Sequence, residues 1–291
     1  MKTGFLSKGQ SKIPFVYENG TYYDASDFIR EGDFFDRDLR KLTENFEKKR
    51  MNQVTGQFTL DIPIKRVNQV RDFYAFEEHV RNSRNNRGLT MLNEWYNVPV
   101  YYYSNKEALI PSEQNMKKPN FTEKLDLEVE VGIIIGKSGY EIKMENAMDY
   151  VFGLTLMNDW SARDLWAAES KLNLGPSKSK DFATSIGPFI TTKDELNQLW
   201  DGRSYDIEIS SYINGKEFSR SNLNDIYFSI PKIIEYASLG TALKAGDILM
   251  TGTLPGGCIF EKGDANKRWL EIGDLVEISS SVLGTLSNRV I

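Results

Sequence analysis

Apolar and polar residues alternate strictly from Leu125 to Val131, and the apolar side then continues through Gly132-Ile133-Ile134-Ile135. A period of two predicts a strand. Val151 to Met157 is a second strand-like run. Tyr205 to Ile213 alternates and meets Asn214-Gly215, a strong hairpin turn signal. Ile248–Thr251 and Leu275–Ser279 are each introduced by a Gly-Asp pair, and Ile13–Tyr17, Thr21–Tyr23 and Phe58–Ile64 read as further short strands. Helical spacing appears in two places. Phe28, Phe35, Leu39, Leu42 and Phe46 recur among charges and predict one or two amphipathic helices between Ser26 and Met51. Pro231 near a start, Ile233, Ile234 and Ala237 on one face, and Gly240 at the end predict another. The texture changes near Val67, so residues 1–66 read as a small N-terminal α/β region and 67–291 as a β-rich α+β domain. Many short strands leave edges that need protection, so the sheet is expected to close or fold on itself.

Composition narrows the function. The chain has 291 residues, 40% of them hydrophobic and 26% charged, which describes a globular domain with a substantial core. A net charge of -5 disfavours nucleic acid as a partner. No apolar run approaches the ~20 residues of a membrane span, and the first residues lack a secretory h-region, so the expectation is a cytoplasmic protein. With one cysteine and one histidine, a Cys/His zinc cluster is out of reach. A metal site would have to be built of oxygens, which points to Mg, Mn or Ca. His79 is also the only side chain of a type that titrates near neutrality unperturbed.

Several stretches carry possible chemistry, and each has an ordinary reading beside it. In Leu156-Met-Asn-Asp-Trp-Ser-Ala-Arg-Asp-Leu-Trp166 a strand ends in a burst of polar residues. Asp159 or Ser161 could cap a helix, with Asp159 pairing Arg163 at i,i+4; equally, a buried strand could be delivering an active site. Asp126, Glu128 and Glu130 share one strand face with no interleaved cation, so they form a solvated face or bind a divalent ion. Asp72 to His79 could be a capped helix start. Lys178 and Lys180 lie in a Gly/Pro/Ser loop from Leu174 to Pro188, where solvation is the default. The glycine-rich turn Thr251–Glu261 matches no nucleotide-binding loop.

Taken in order, the blocks RDFYAFEEH, DLEVEVG, GLTLMNDWSARD, LGPSKSKDFATSIGP and TGTLPGGCIFE resemble those of the fumarylacetoacetate hydrolase family, closest to its fumarylacetoacetase-like branch, over roughly Val67 to Ile278. The resemblance implies a mixed β-sandwich or roll preceded by a small N-terminal domain. It implies a divalent metal, Mg or else Mn or Ca, held by Asp72, Glu128, Glu130 and Asp159. It places a catalytic base on His79 oriented by Glu261, with Lys180 and Arg163 as catalytic cations. Tyr74, Arg163, Thr184 and Thr253 fall at substrate-binding positions. A homodimer is the family habit. Trp166 stands where fumarylacetoacetases carry a glutamine, Asp181 where a serine is usual, and Tyr101, Tyr102 and Tyr103 have no assigned counterpart.

The chemistry so implied is metal-dependent hydrolysis of a carbon–carbon bond in a β-diketone or acylpyruvate-type 2-oxo acid. Water activated by His79 and Glu261 attacks a chelated substrate, and Lys180 and Arg163 offset oxyanion charge. The alternative is a decarboxylase, hydratase or tautomerase working on a 2-oxo acid through the same metal and enolate.

Overall fold

The computed structural model describes residues 1–27, 51–262 and 267–291. The helical segment expected around Phe28 to Phe46 lies outside the described residues. The strands in chain order are β1 Lys2–Lys8, β2 Ser11–Glu18, β3 Thr21–Asp24, β4 Thr59–Leu60, β5 Val70–Phe73, β6 Tyr101–Ser104, β7 Leu109–Pro111, β8 Leu125–Asp126, β9 Val129–Ile135 and β10 Gly139–Tyr140. They continue as β11 Val151–Asp159, β12 Ser161–Ala162, β13 Thr184–Thr192, β14 Glu208–Ile213, β15 Lys216–Asn222, β16 Ala242–Leu243, β17 Ile248–Met250, β18 Leu275–Ser280 and β19 Gly284–Arg289. The helices used below are α1 Glu77–Asn85, α2 Arg163–Glu169 and α3 Ile230–Ala237.

One large mixed sheet runs β3-β2-β1-β13-β11-β9-β17-β5-β6, and β15-β14-β18-β19 form a second. Pairing is mostly antiparallel, but β17 lies parallel to β5 and β13 to β7. β1 joins the large sheet through β13, so its hairpin with β2 carries that sheet into the first residues of the chain. The β-rich α+β architecture expected from the alternation is present.

Both faces of the central strands are covered, which explains why β11 is buried along its whole length. Val129, Val131, Ile133 and Ile135 point into a core shared with Ile209, Val276, Ile278 and Leu286 of the second sheet. Ile134, on the opposite face, packs with Phe5, Phe152, Ile190 and Ile248. The α3 helix starts at Ser229, whose hydroxyl accepts from the Lys232 amide at 3.3 Å, and Pro231 sits in its first turn. Ile230, Ile233 and Ile234 are fully buried on it. Each contributes ~1.5–3 kcal/mol of apolar burial.

Two expected strands are cut short. Leu125–Ile135 is not one strand: β8 pairs with β12 while β9 pairs with β11. The chain jogs at Glu128, whose amide donates to the Asn158 side chain at 2.9 Å and whose carbonyl accepts from the Asp159 amide at 3.2 Å. The Phe58–Ile64 stretch contributes only Thr59–Leu60, because Asp61 binds its neighbour's amide and Pro63 has no donor.

Candidate active site

The site grows from the ends of central strands. β5 carries Asp72, the jog before β9 carries Glu128, β9 carries Glu130 and the end of β11 carries Asp159. All four are buried, and one carboxylate oxygen from each falls within 4.8 Å of the others. Asp72 and Asp159 are therefore strand residues and cap no helix; α2 begins after Ala162 with no side-chain cap. Burial, reinforced by Asp159, pushes the Asp72 carboxyl well above the usual range. Burial and the charge of Asp72 do the same to Glu130. Burial opposes ionisation of Glu128 as well, but Lys180 and Arg163 overcome it and hold that carboxyl at about 2.

Lys180 reaches into this cage from the loop before β13. Its Nζ donates to Asp159 Oδ2 at 2.6 Å and also bonds Glu128 Oε2. Tyr102 donates to Asp72 Oδ2 at 2.6 Å and contacts Asp159 as well. Its placement follows from register, since Tyr102 sits directly opposite Asp72 in the β5–β6 pair. Nothing in the run Tyr101-Tyr102-Tyr103 singles out its middle member, so this residue was missed at the level of sequence.

Arg163 does not pair with Asp159. Its Nε donates to Asp126 Oδ2 at 2.7 Å and its Nη2 to Glu128 Oε1 at 2.5 Å. The reason is β12: Ser161 and Ala162 pair with Asp126 and Leu125, so the chain leaves β11 before α2 starts and turns Arg163 toward β8. Asp126, the third acid of the alternating run, is thereby separated from the cage. It is a buried anchor, accepting from the amides of Ile259 and Phe260 at 2.7 and 3.0 Å as well as from Arg163.

The glycine-rich turn after β17 serves the site's carboxylates. Gly252 donates its amide to Glu130 Oε2 at 3.2 Å. That residue has φ +83°, and a Cβ there would lie 2.4 Å from the Phe73 carbonyl oxygen, so only glycine lets the turn close on β5. Thr253 sits beside Glu130, its hydroxyl 3.5 Å from Oε1. Further along, Gly256 donates to Glu261 Oε2 at 3.0 Å. Glu261 Oε1 meets His79 Nδ1 at 2.7 Å, and Asn82, one turn further along α1, donates to Oε2 at 3.1 Å. Burial works against the Glu261 charge, yet His79 and these donors hold its carboxyl below the usual value.

Three of the cage acids, Asp72, Glu128 and Glu130, line one cavity of about 300 Å³ together with His79 of the dyad, Arg163 and Lys180. Tyr74 also lines it and stands edge-on to the His79 ring, centroids 5.4 Å apart. Thr253 is in the wall, while Thr184 stands behind Asp159, its hydroxyl 3.3 Å from Oδ1. Trp166 is in the wall too, 5.3 Å from Phe260. Asp181 is not among the residues lining this cavity and pairs with Lys178 at 2.8 Å.

The donor set suits a hard divalent cation. It is all oxygen, and Asp72 Oδ1 is buried with no hydrogen-bond partner. Two carboxyls pushed upward by burial and then by their neighbours' charge are what a cation would relieve.

A mixed β-fold that buries four carboxylates able to hold a divalent cation, with a His–Glu pair on the same cavity, defines the class of protein to which the chain is to be compared. The chain belongs to the fumarylacetoacetate hydrolase family: the family model described as fumarylacetoacetate (FAA) hydrolase C-terminal matches residues 68–291. It is 37% identical over 169 residues to oxaloacetate tautomerase YisK of Bacillus subtilis (strain 168), covering 58% of this chain and 53% of that protein. It is 31% identical over 238 residues to fumarylacetoacetase of Dictyostelium discoideum, covering 66% of this chain and 55% of that one. The matches thus span little more than half the length of these two relatives. The solved structure of a fumarylacetoacetate hydrolase from psychrophilic Exiguobacterium antarcticum superposes with a TM-score of 0.76 at 25% identity, covering 100% of this chain and 99% of that one. Among the described residues no helix is long and apolar enough to cross a membrane.

Proposed function

We propose that this protein is a divalent-cation-dependent hydrolase that cleaves a carbon–carbon bond in a small β-diketone or acylpyruvate-type 2-oxo acid. The observation that carries the reading is the intact His79–Glu261 pair opening on the same cavity as the carboxylate cage. Asp72, Glu128, Glu130 and Asp159 would hold Mg (or Mn or Ca), which when bound supplies Lewis-acid polarisation of two substrate oxygens. Glu261 engages His79 Nδ1, so Nε2 is the ring atom left to take a proton from water. The hydroxide so formed adds to the keto carbonyl. Arg163 and Lys180, both held at the cavity floor, lower the cost of negative charge developing there. The carbon–carbon bond then breaks, and His79 returns its proton to the departing carbon. A carboxylic acid and a 2-oxo acid result.

A second reading, keto–enol tautomerisation of a 2-oxo acid, is favoured by the likeness to oxaloacetate tautomerase YisK. There His79 would move a proton between carbon and oxygen without adding water. Product analysis separates the two. Mg-loaded protein given acetylpyruvate in D2O should yield acetate and pyruvate, and EDTA should stop this until Mg or Mn is restored. Fast deuterium exchange of the methylene protons without cleavage would replace the hydrolase by the tautomerase. Neither outcome, with either metal, would sink both.

A further inference from the structure

Resting on the hydrolase reading of the same cavity, we propose that its substrate carries an uncharged apolar or aromatic acyl group, received by Trp166. The cavity has two chemically distinct ends. Its floor is ionic: Asp72, Glu128, Glu130, His79, Arg163 and Lys180 are each no more than 6% exposed. Its outer wall is made by Val100, Trp166, Leu174, Pro176 and Phe260. Val100 is 44% and Leu174 89% exposed, so these side chains lie toward solvent.

The cations that line the cavity are already engaged. Lys180 is bonded to Glu128 and Asp159, and Arg163 to Asp126 and Glu128. The wall at the outer end therefore offers indole, phenyl and aliphatic surface and no charge of its own. A second carboxylate on the substrate would lose water there against apolar groups, whereas a ring or alkyl chain would gain by leaving water. Trp166 is held in place for this role. Its ring stands edge-on to Phe260 and lies 5.7 Å from the Arg163 guanidinium, so it has a partner on each side. The volume, about 300 Å³, matches a small ligand with a 2-oxo acid head and a compact acyl tail. Arg87 and Lys267 lie outside the wall, 5.1 Å from the Trp166 ring and 5.3 Å from the Phe260 ring. They are the groups that would favour an anionic tail, so the test must separate the two.

The experiment uses the full Mg-loaded chain and compares kcat/KM for benzoylpyruvate, acetylpyruvate and fumarylpyruvate. Benzoylpyruvate should lead both others, by roughly tenfold or more. Trp166→Ala should lower the benzoyl-to-acetyl ratio by a similar factor, and Trp166→Phe should restore most of it. Preference for fumarylpyruvate, or a ratio that Trp166→Ala leaves unmoved, overturns the inference. If no acylpyruvate is cleaved, the hydrolase reading falls and calorimetry decides this point alone. Tighter binding of phenylpyruvate than of oxaloacetate then supports an apolar tail site, and the reverse order overturns it.

Discussion

The carboxylate cage and the His79–Glu261 pair share one cavity but are built on opposite electrostatic plans. In the pair, every charge is answered: Glu261 has His79, Asn82 and the Gly256 amide, and its carboxyl sits below the usual range because these outweigh burial. In the cage, burial and the charge of neighbouring acids push Asp72 and Glu130 upward, and Asp72 Oδ1 has no partner. Lys180 and Arg163 stabilise only part of the cage, chiefly Glu128. The contrast separates two kinds of functional group. The pair is balanced within the protein, whereas the cage is only partly balanced by Lys180 and Arg163 and could take a divalent cation.

That contrast can be broken most sharply at His79, the proposed base. His79→Ala should reduce kcat/KM by about 10²–10⁴-fold, the usual worth of a general base, and leave cation affinity nearly intact because His79 stands outside the cage. Glu261→Gln should be milder, since an amide can still bond His79 Nδ1. The double variant should lose no more than His79→Ala alone, because the two act as one unit. Loss of metal binding in His79→Ala would mean that the histidine is a ligand.

Glu128→Gln should do the reverse. Cation affinity, read by calorimetry, should fall by more than the roughly 10–100-fold typical of an outer-shell partner. The same change leaves Lys180 and Arg163 with one fewer anion, so the metal-free protein should also lose stability. Unchanged affinity would remove Glu128 from the ligand set.

The smallest effect is the dependence of metal-free stability on pH, where the two halves should have opposite signs. Asp72 and Glu130 have raised folded values, so the native state keeps protons that the unfolded chain has released. Their contribution therefore declines as pH rises from the ordinary carboxylate range through those raised values. Glu261 is depressed, so its contribution is present above the ordinary range and is lost as pH falls through its folded value. Urea titrations of wild type, Asp72→Asn and Glu261→Gln across that span would show it. Asp72→Asn should flatten the decline at higher pH, and Glu261→Gln the loss in acid. If neither variant changes its slope, the electrostatic contrast is not there.

Much of the fold was legible because it follows from periodicity. The Asn214-Gly215 hairpin, the β11 run and the Pro231–Gly240 helix all appear where local pattern puts them. The period-two pattern puts Asp126, Glu128 and Glu130 on one face, and the structure keeps Glu128 and Glu130 together while Asp126 leaves them. Local pattern leaves Asp72 and Asp159 undecided between caps and chemistry and His79 between a helix face and chemistry, and the family resemblance supplies their proposed roles.

What tertiary structure alone decided is who meets whom. His79 and Glu261 are 182 residues apart, and no local rule joins them. Arg163 lies four residues from Asp159 and would reach it on a continuous helix, but β12 intervenes and hands it to Asp126 and Glu128. Asp126 alternates in sequence with the cage acids yet leaves them, because the chain jogs at Glu128 between two different sheets. Tyr102 enters the cage only through its register opposite Asp72. The sequence by itself determined which segments alternate, which are apolar throughout and which carry acids, since those depend on neighbours one to four residues away. Pairing partners, burial and the resulting charge balance depend on strand register across the whole chain, and only the assembled sheet sets them.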